Sequence, residues 1–440
     1  MNRRDFFKLN RQKLMQSNGT EDAADLDRMP AGGGQSMTGA RATDSGWRKR
    51  LTLALCFLAI LCEGIDIVSM GLAAPRMAPA LGLTRDQLGP LFSASIVGLL
   101  VGAVIFGRLA DRFGRKWTLV TCLVIFGFFS LATAAVRPFE ALLAVRLAAG
   151  LGLGGALPNL VALAAEAVAP QSRAGLVTRI TCGIPFGGAI CGIVAVNLDW
   201  QAIFYVGGLA PLALAPIAAF ALLESRAFLE ARQSALPTAA ARGDFRWILF
   251  GGGRASATLL LWTASFASLL ALYVLLNWLP TLLGDRGLSK PHASLVSMLF
   301  GIGGAVGILI LADLLDRRGR RRMIGLWYLG LIASLVALAV VNSGFLATAL
   351  AGFAVGFFVA AAPLPLYGMA PCYYGVSMRG AGVGVSVAVG RLGAIFGPLL
   401  AAALLGAGAG ASGVLLALLP ITAVAGGATM ALIDRPRLAD

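Results

Sequence analysis

Beyond Arg50 the sequence alternates between apolar runs of about twenty residues and short polar or glycine-rich breaks, the spacing that a bilayer's hydrocarbon core imposes on helices. The runs fall near 51–73, 88–109, 117–136, 139–162, 174–196 and 201–222. After a polar stretch they resume near 257–283, 292–313, 322–341, 345–368, 380–404 and 411–433. Breaks as short as Arg137-Pro138, Asn197-Leu198-Asp199 and Asn342-Ser343-Gly344 separate neighbours, and the division at 404–411 rests on Gly, Ala and Ser alone. Ten-residue stretches of alternating polarity are absent, so helices rather than barrel strands must satisfy the backbone in lipid. The pattern predicts an all-α polytopic membrane protein with twelve transmembrane helices. Residues 1–50 lack any apolar period and read as a disordered cytoplasmic tail. Within them Asn2-Arg3-Arg4-Asp5-Phe6-Phe7-Lys8 resembles a twin-arginine signal, but no apolar region follows it closely, and Met37 offers an alternative start.

Composition narrows the class. Hydrophobic residues make up 58% of the chain and charged ones 13%, against about a quarter charged in soluble proteins. A cytosolic enzyme, a nucleic-acid binder and a secreted disulfide scaffold are thereby excluded. The net charge of +15 does not mark a nucleic-acid surface, because it forms no basic helix or aromatic-interleaved stripe. It collects at alternate breaks instead. With the amino terminus inside, 29 of the 36 Lys and Arg fall on the inner side, and only Arg76, Arg85, Arg137, Arg286 and Lys290 fall outside. That bias places both termini in the cytoplasm. Cys56, Cys62, Cys122, Cys182 and Cys191 lie within apolar runs and Cys372 at an inner break, so no disulfide framework is expected.

The chain also repeats. Gly107-Arg108-Leu109-Ala110-Asp111-Arg112-Phe113-Gly114-Arg115-Lys116 follows the second run, and Ala312-Asp313-Leu314-Leu315-Asp316-Arg317-Arg318-Gly319-Arg320-Arg321 follows the eighth, 205 residues later. Arg173-Ala174-Gly175 and Arg379-Gly380 recur at nearly the same offset. Two pseudo-symmetric six-helix bundles, 51–222 and 257–433, joined by a cytoplasmic linker at 223–256 and followed by a short tail at 434–440, account for this economically.

The 107–116 segment resembles the G-x-L-x-D-R-x-G-R-K/R signature of the major facilitator superfamily. The series Arg146, Gly150-Leu151-Gly152-Leu153-Gly154, Pro158, Glu166, Pro170 and Arg173 resembles that family's fourth-span pattern. More narrowly, Glu63-Gly64-Ile65-Asp66 is similar to the first-span acidic pair D-G-x-D of the aromatic acid:proton symporter family. Gly390-Arg391-Leu392-Gly393-Ala394-Ile395-Phe396-Gly397-Pro398 is close to its eleventh-span pattern. The stretches Gly154-Gly155-Ala156-Leu157-Pro158-Asn159-Leu160 and Leu276-Asn277-Trp278-Leu279-Pro280 fit the same family. The resemblance implies the major facilitator fold and proton-coupled import of a small aromatic carboxylate of the 3-(3-hydroxyphenyl)propionate kind. Its partners would be that acid, protons and the lipid bilayer of the inner (plasma) membrane, without nucleic acid, and the chain would act as a monomer.

The buried charges fit such a task. Glu63 and Asp66 are the acids placed well inside a run, with Glu63 roughly 18 Å into a helix starting near Leu51. Three residues apart, they share a helix face, and burial with mutual repulsion favours holding a proton. Proton coupling is assigned to this pair, with hydrogen bonding to neighbouring helices or a structural ion pair as the alternative. Arg391 lies roughly 18 Å from the nearer end of its run. Its planar fork suits a carboxylate, so it is expected to bind substrate, with a salt bridge to Asp66 or Glu63 as the alternative. Arg146 reads equally as a structural, coupling or binding group. Asn159, Tyr273, Asn277, Trp278 and Tyr367 are candidate partners for the ring and its hydroxyl, each with ordinary helix packing as the competing reading. The series Gly150/Gly152/Gly154/Gly155 and Gly183/Gly187/Gly188/Gly192 should allow close helix contact.

Asp111, Arg112, Arg115, Asp316, Arg317 and Arg320 are expected to gate the inner side. Asp111 would accept from the backbone at a helix start while Arg112 and Arg115 bridge helix ends, or the basic residues simply anchor topology. His292 beside Pro291 reads as incidental. Proton-driven efflux is the second transporter reading, but Pro185-Phe186-Gly187-Gly188 does not fit the Gly-Pro arrangement of drug/proton antiporters. A metal or cofactor is not expected: one histidine and scattered acids offer neither a ligand cluster nor a nucleophile triad, and a phosphate-binding P-loop is lacking. A receptor would need a signalling domain for which these loops leave no room.

Overall fold

Apolar segments in lipid must close their hydrogen bonds internally, and every long element is a helix. The computed structural model describes residues 37–166, 176, 180–225, 228–229, 245–317, 320–341, 344–374 and 378–435, leaving the expected tail disorder of 1–36 outside the described residues. In chain order the helices are α1 (Met37–Leu81), α2 (Arg85–Phe113), α3 (Arg115–Ala135), α4 (Phe139–Glu166), α5 (Gly183–Asn197) and α6 (Trp200–Ala221). There follow α7 (Phe245–Phe250), α8 (Ala255–Asp285), α9 (Lys290–Arg317), α10 (Arg320–Val340), α11 (Gly344–Val359), α12 (Leu364–Met369), α13 (Arg379–Gly406) and α14 (Gly410–Ile433). The described residues from Lys49 onward form one compact unit.

Eleven of the described segments are long and apolar enough to cross a membrane, and α5 is a shorter apolar helix. Each coincides with a run read from the sequence, with three differences. First, α1 begins at Met37, so the last part of the expected tail is helical. It also runs on to Leu81 through Pro75 and Pro79, prolines that membrane helices accommodate when neighbours satisfy the freed carbonyls. Second, the tenth span breaks into α11, a turn, α12 and a 3-10 turn at Ala370–Tyr373, because Pro363 and Pro365 remove ladder donors. Third, α5 is described only from Gly183, since much of 167–179 lies outside the described residues. The glycine-only division holds: α13 stops at Gly406 and α14 starts at Gly410, with Gly408 at φ 83° and Gly410 at φ 65°.

Glycines set the helix crossings. A Cβ on Gly98 or Gly102 of α2 would collide with the carbonyl oxygens of Leu147 or Leu151 on α4. Reciprocally, Gly150 and Gly154 of α4 lie against the carbonyls of Ser95 and Leu99. The same interlock recurs 205 residues on, where Gly303 and Gly307 of α9 meet Phe353 and Phe357 of α11, and Gly356 meets Phe300. The repeat in sequence is thus a repeat in packing.

The two halves also meet near the amino terminus of α2 and the carboxyl end of α8. Ser93 Oγ donates to the Ile395 carbonyl at 2.8 Å, and the Phe92 and Trp278 rings stand edge-on at 5.2 Å. At the exposed rim Arg85 pairs with Asp285 at 2.8 Å.

Candidate functional site

Glu63 and Asp66 are brought into the interior by a tight crossing of α1 and α5. Gly64, between them in sequence, leaves no room for a Cβ against the Ile184 carbonyl, and Gly187 of α5 abuts Leu61 in the same way. The two acids are consequently 1% and 0% exposed.

Asp66 has a built partner. Arg146 of α4 grips it with both terminal nitrogens, Nη1 to Oδ1 at 3.0 Å and Nη2 to Oδ2 at 3.1 Å. Ser130 of α3 donates to the same carboxylate at 3.3 Å, and the Arg146 guanidinium lies 5.8 Å from the centre of the Phe204 ring on α6. Four helices therefore converge on one neutralised pair. Glu63 is different: its Oε2 is buried without a hydrogen-bond partner.

Arg391 of α13 donates to the Tyr273 hydroxyl at 3.0 Å and lies within electrostatic reach of Glu63 and Tyr367. Among the described residues no carboxylate forms a salt bridge with it, so the expected alternative of an Arg391–Asp66 pair is replaced by Arg146–Asp66. Sequence spacing could not choose between the two arginines, since both lie inside apolar runs and nothing local records which acid each meets.

A small recess joins the groups. It measures about 20 Å³ and is lined by Asp66, Ser95, Arg146, Tyr273 and Asn277 among apolar side chains. Asn277 spends an amide hydrogen on the Tyr273 carbonyl at 2.9 Å. Of the other expected ring contacts, Asn159 is buried, does not line the recess, and donates to Gly155 O at 2.8 Å. Trp278 is fully buried, its indole N–H bound to Pro398 O at 3.1 Å, and it is packing between the halves rather than a recess wall. Tyr367 is 47% exposed. A larger cavity of about 510 Å³ among α8, α13 and α14 has apolar walls with no ionisable side chain, hence nothing to hold an anion.

At the α2–α3 turn, Gly114 adopts φ 95° and a Cβ there would strike the Glu224 carboxylate. Glu224 Oε1 accepts from the backbone of Arg115 at 2.8 Å and Lys116 at 3.1 Å, an anion on the amino terminus of α3. The expected capping acid, Asp111, is exposed instead, as is Arg112, whose guanidinium lies 5.3 Å from the Phe113 ring centre. Arg115 does bridge helix ends, pairing with Glu166, which also accepts from Ser225 Oγ at 2.8 Å. Glu224 was missed because an acid just past the sixth span carries no signal of the helix start it will meet. The side chains of Asp316, Arg317 and Arg320 lie outside the described residues.

The Major Facilitator Superfamily profile matches residues 56–291 and again 261–439. The chain belongs to the major facilitator superfamily. Within it, this facilitator is 44% identical over 396 residues to the 3-(3-hydroxy-phenyl)propionate transporter of Escherichia coli (strain K12), covering 89% of this chain and 96% of that protein. It is 37% identical to a gallate transporter of Pseudomonas putida, over 82% of this chain and 86% of the other. It is 36% identical to the 4-hydroxybenzoate transporter PcaK of Pseudomonas aeruginosa, over 88% and 92%. Among solved structures, the nucleoside transporter NupG superposes with a TM-score of 0.72 at 15% identity, covering 88% of this chain and all of that one. A D-xylose-proton symporter superposes with a TM-score of 0.69 at 18% identity, over 87% and 96%. These two likenesses are of fold. With its apolar helices, this facilitator is an integral membrane protein.

Proposed function

We propose that this facilitator is a secondary transporter that imports a hydroxylated aromatic carboxylate together with protons, 3-(3-hydroxyphenyl)propionate or a close relative being the substrate. The observation that carries this is the contrast between two arginines. Arg146 spends both terminal nitrogens on the Asp66 carboxylate, whereas Arg391 donates to a tyrosine hydroxyl, forms no salt bridge among the described residues, and keeps its charge for an incoming carboxylate. Such a guanidinium, part-buried on a spanning helix, is worth far more to an anion than one in water. Glu63 and Asp66 are assigned to the proton, and Tyr273, Asn277 and Tyr367 to the ring. Glu63, with an unpartnered oxygen, is the better proton carrier because protonation costs it no ion pair. The relatives' aromatic-acid substrates support the substrate class.

The assembly reading is that bundles 51–222 and 257–433 rock about this midplane site as a monomer. The 223–256 linker and both termini would lie on the cytoplasmic side of the inner membrane, and Arg115, Glu166 and Glu224 would tie inner helix ends together. The positive-inside charge bias supports that orientation.

Uptake of labelled 3-(3-hydroxyphenyl)propionate into membrane vesicles tests the proposal. Uptake should rise with an inward proton gradient and collapse with a protonophore. Arg391→Ala should abolish it while leaving the protein inserted at wild-type abundance. Normal affinity in Arg391→Ala would reject the assigned role, and gradient-independent uptake would reject proton coupling.

A further inference from the structure

Most hydroxyls on these spanning helices are spent on a carbonyl about one turn back: Ser69 on Asp66, Thr133 on Phe129, Ser386 on Gly382 and Thr429 on Ala425. Ser95 of α2 breaks that habit. Its Oγ is buried with no hydrogen-bond partner, and the residue lines the recess closed by Asp66, Arg146, Tyr273 and Asn277. Its backbone is pinned, because the Ser95 carbonyl sits against Gly150 where a Cβ would collide.

The same recess holds a second uncommitted group. Arg146 is 1% exposed, gives both terminal nitrogens to Asp66, and leaves Nε without a partner. Buried polar groups left unpaired cost folding energy and are usually explained by a missing partner. The recess, about 20 Å³, has room for one water-sized group and none for an aromatic ring. Because Asp66 already neutralises Arg146, the recess has little net attraction for an anion. A hydroxyl matches it: one oxygen can accept from Arg146 Nε–H and donate to Ser95 Oγ.

We propose that Ser95, together with Arg146 Nε, is the specificity determinant that receives the substrate's ring hydroxyl, while Arg391 takes the carboxylate. Tyr273 stands between these two ends, lining the recess and accepting from Arg391. The assignment rests on the aromatic-acid reading above and adds to it a preference for phenolic over unsubstituted aryl acids. A site built to bond a hydroxyl rejects the analogue lacking it, since its own groups are then left unpaired.

The test compares KM for uptake of 3-(3-hydroxyphenyl)propionate and 3-phenylpropionate in wild type and Ser95→Ala. Wild type should favour the hydroxylated acid by at least about tenfold. Ser95→Ala should cut that preference roughly three- to tenfold, the worth of one neutral hydrogen bond, and leave 3-phenylpropionate within about twofold of wild type. An unchanged preference in Ser95→Ala, or an equal loss of both acids, would overturn the assignment while leaving the transport reading standing. Failure of the wild type to take up either acid would overturn that reading, and this assignment with it.

Discussion

Asp66 and Arg146 pair through two hydrogen bonds where both side chains are buried, and the arrangement has a measurable signature. Removing one partner leaves an uncompensated buried charge, at a cost of about 3–5 kcal/mol, whereas replacing both with apolar groups of similar volume can be nearly neutral. Arg146→Met should therefore lower the thermal midpoint of the purified protein, and Asp66→Leu combined with Arg146→Met should restore most of it without restoring transport. A double variant as unstable as the single one would show that the pair is not the source of the loss. At this scale the sequence was informative about which residues matter and poor about whom they touch. Glu63, Asp66, Arg146 and Arg391 stand out because charge is rare in apolar runs. Their pairing depends on how four helices converge, which no local spacing records. Ser95 escapes notice for a related reason: in sequence it is one more small hydroxyl on a helix, and what distinguishes it is an unspent Oγ on a residue that lines the recess. Trp278 misled in the opposite direction, since its indole is consumed by Pro398 and Phe92.

Helix against helix, close approach does the work that hydrophobic burial does in water, since lipid is as apolar as the side chains. The interlocked glycines make a graded prediction. Gly102→Leu, which drives a side chain into the Leu151 carbonyl, should abolish folded protein in the membrane. Gly107→Ala, five residues along the same helix with open space around it, should leave expression unchanged or slightly better, by up to about 1 kcal/mol of helix propensity. Fluorescence-detected size-exclusion of both variants reads the difference; equal abundance would contradict the packing account. Elements were the most legible level. All twelve spans are present in some form because runs of about twenty apolar residues have few other fates. Their ends were less legible. α1 passes through Pro75 and Pro79, while Pro363 and Pro365 break the tenth span, although proline reads alike at all four positions.

For the molecule as a whole, the two halves repeat each other in sequence and in their glycine crossings, yet their charges differ. The first half holds Glu63, Asp66 and Arg146; the second holds Arg391 with Tyr273 and Asn277. On the proposed function, a cycle that moves one half against the other would bring the wall assigned to the proton to the wall assigned to the anion, and coupling would follow if each ligand changes the charge the other meets. A recess of about 20 Å³ lies between the two sets of groups, lined by Asp66 and Arg146 of the first half and by Tyr273 and Asn277 of the second. The most direct measurement is proton movement itself. Purified protein is reconstituted into liposomes with no imposed gradient, and 3-(3-hydroxyphenyl)propionate is added outside in a weakly buffered medium under a pH electrode. The account requires the external medium to become more alkaline as the acid enters, with the signal lost in Arg391→Ala. Substrate accumulation with no pH change would contradict it.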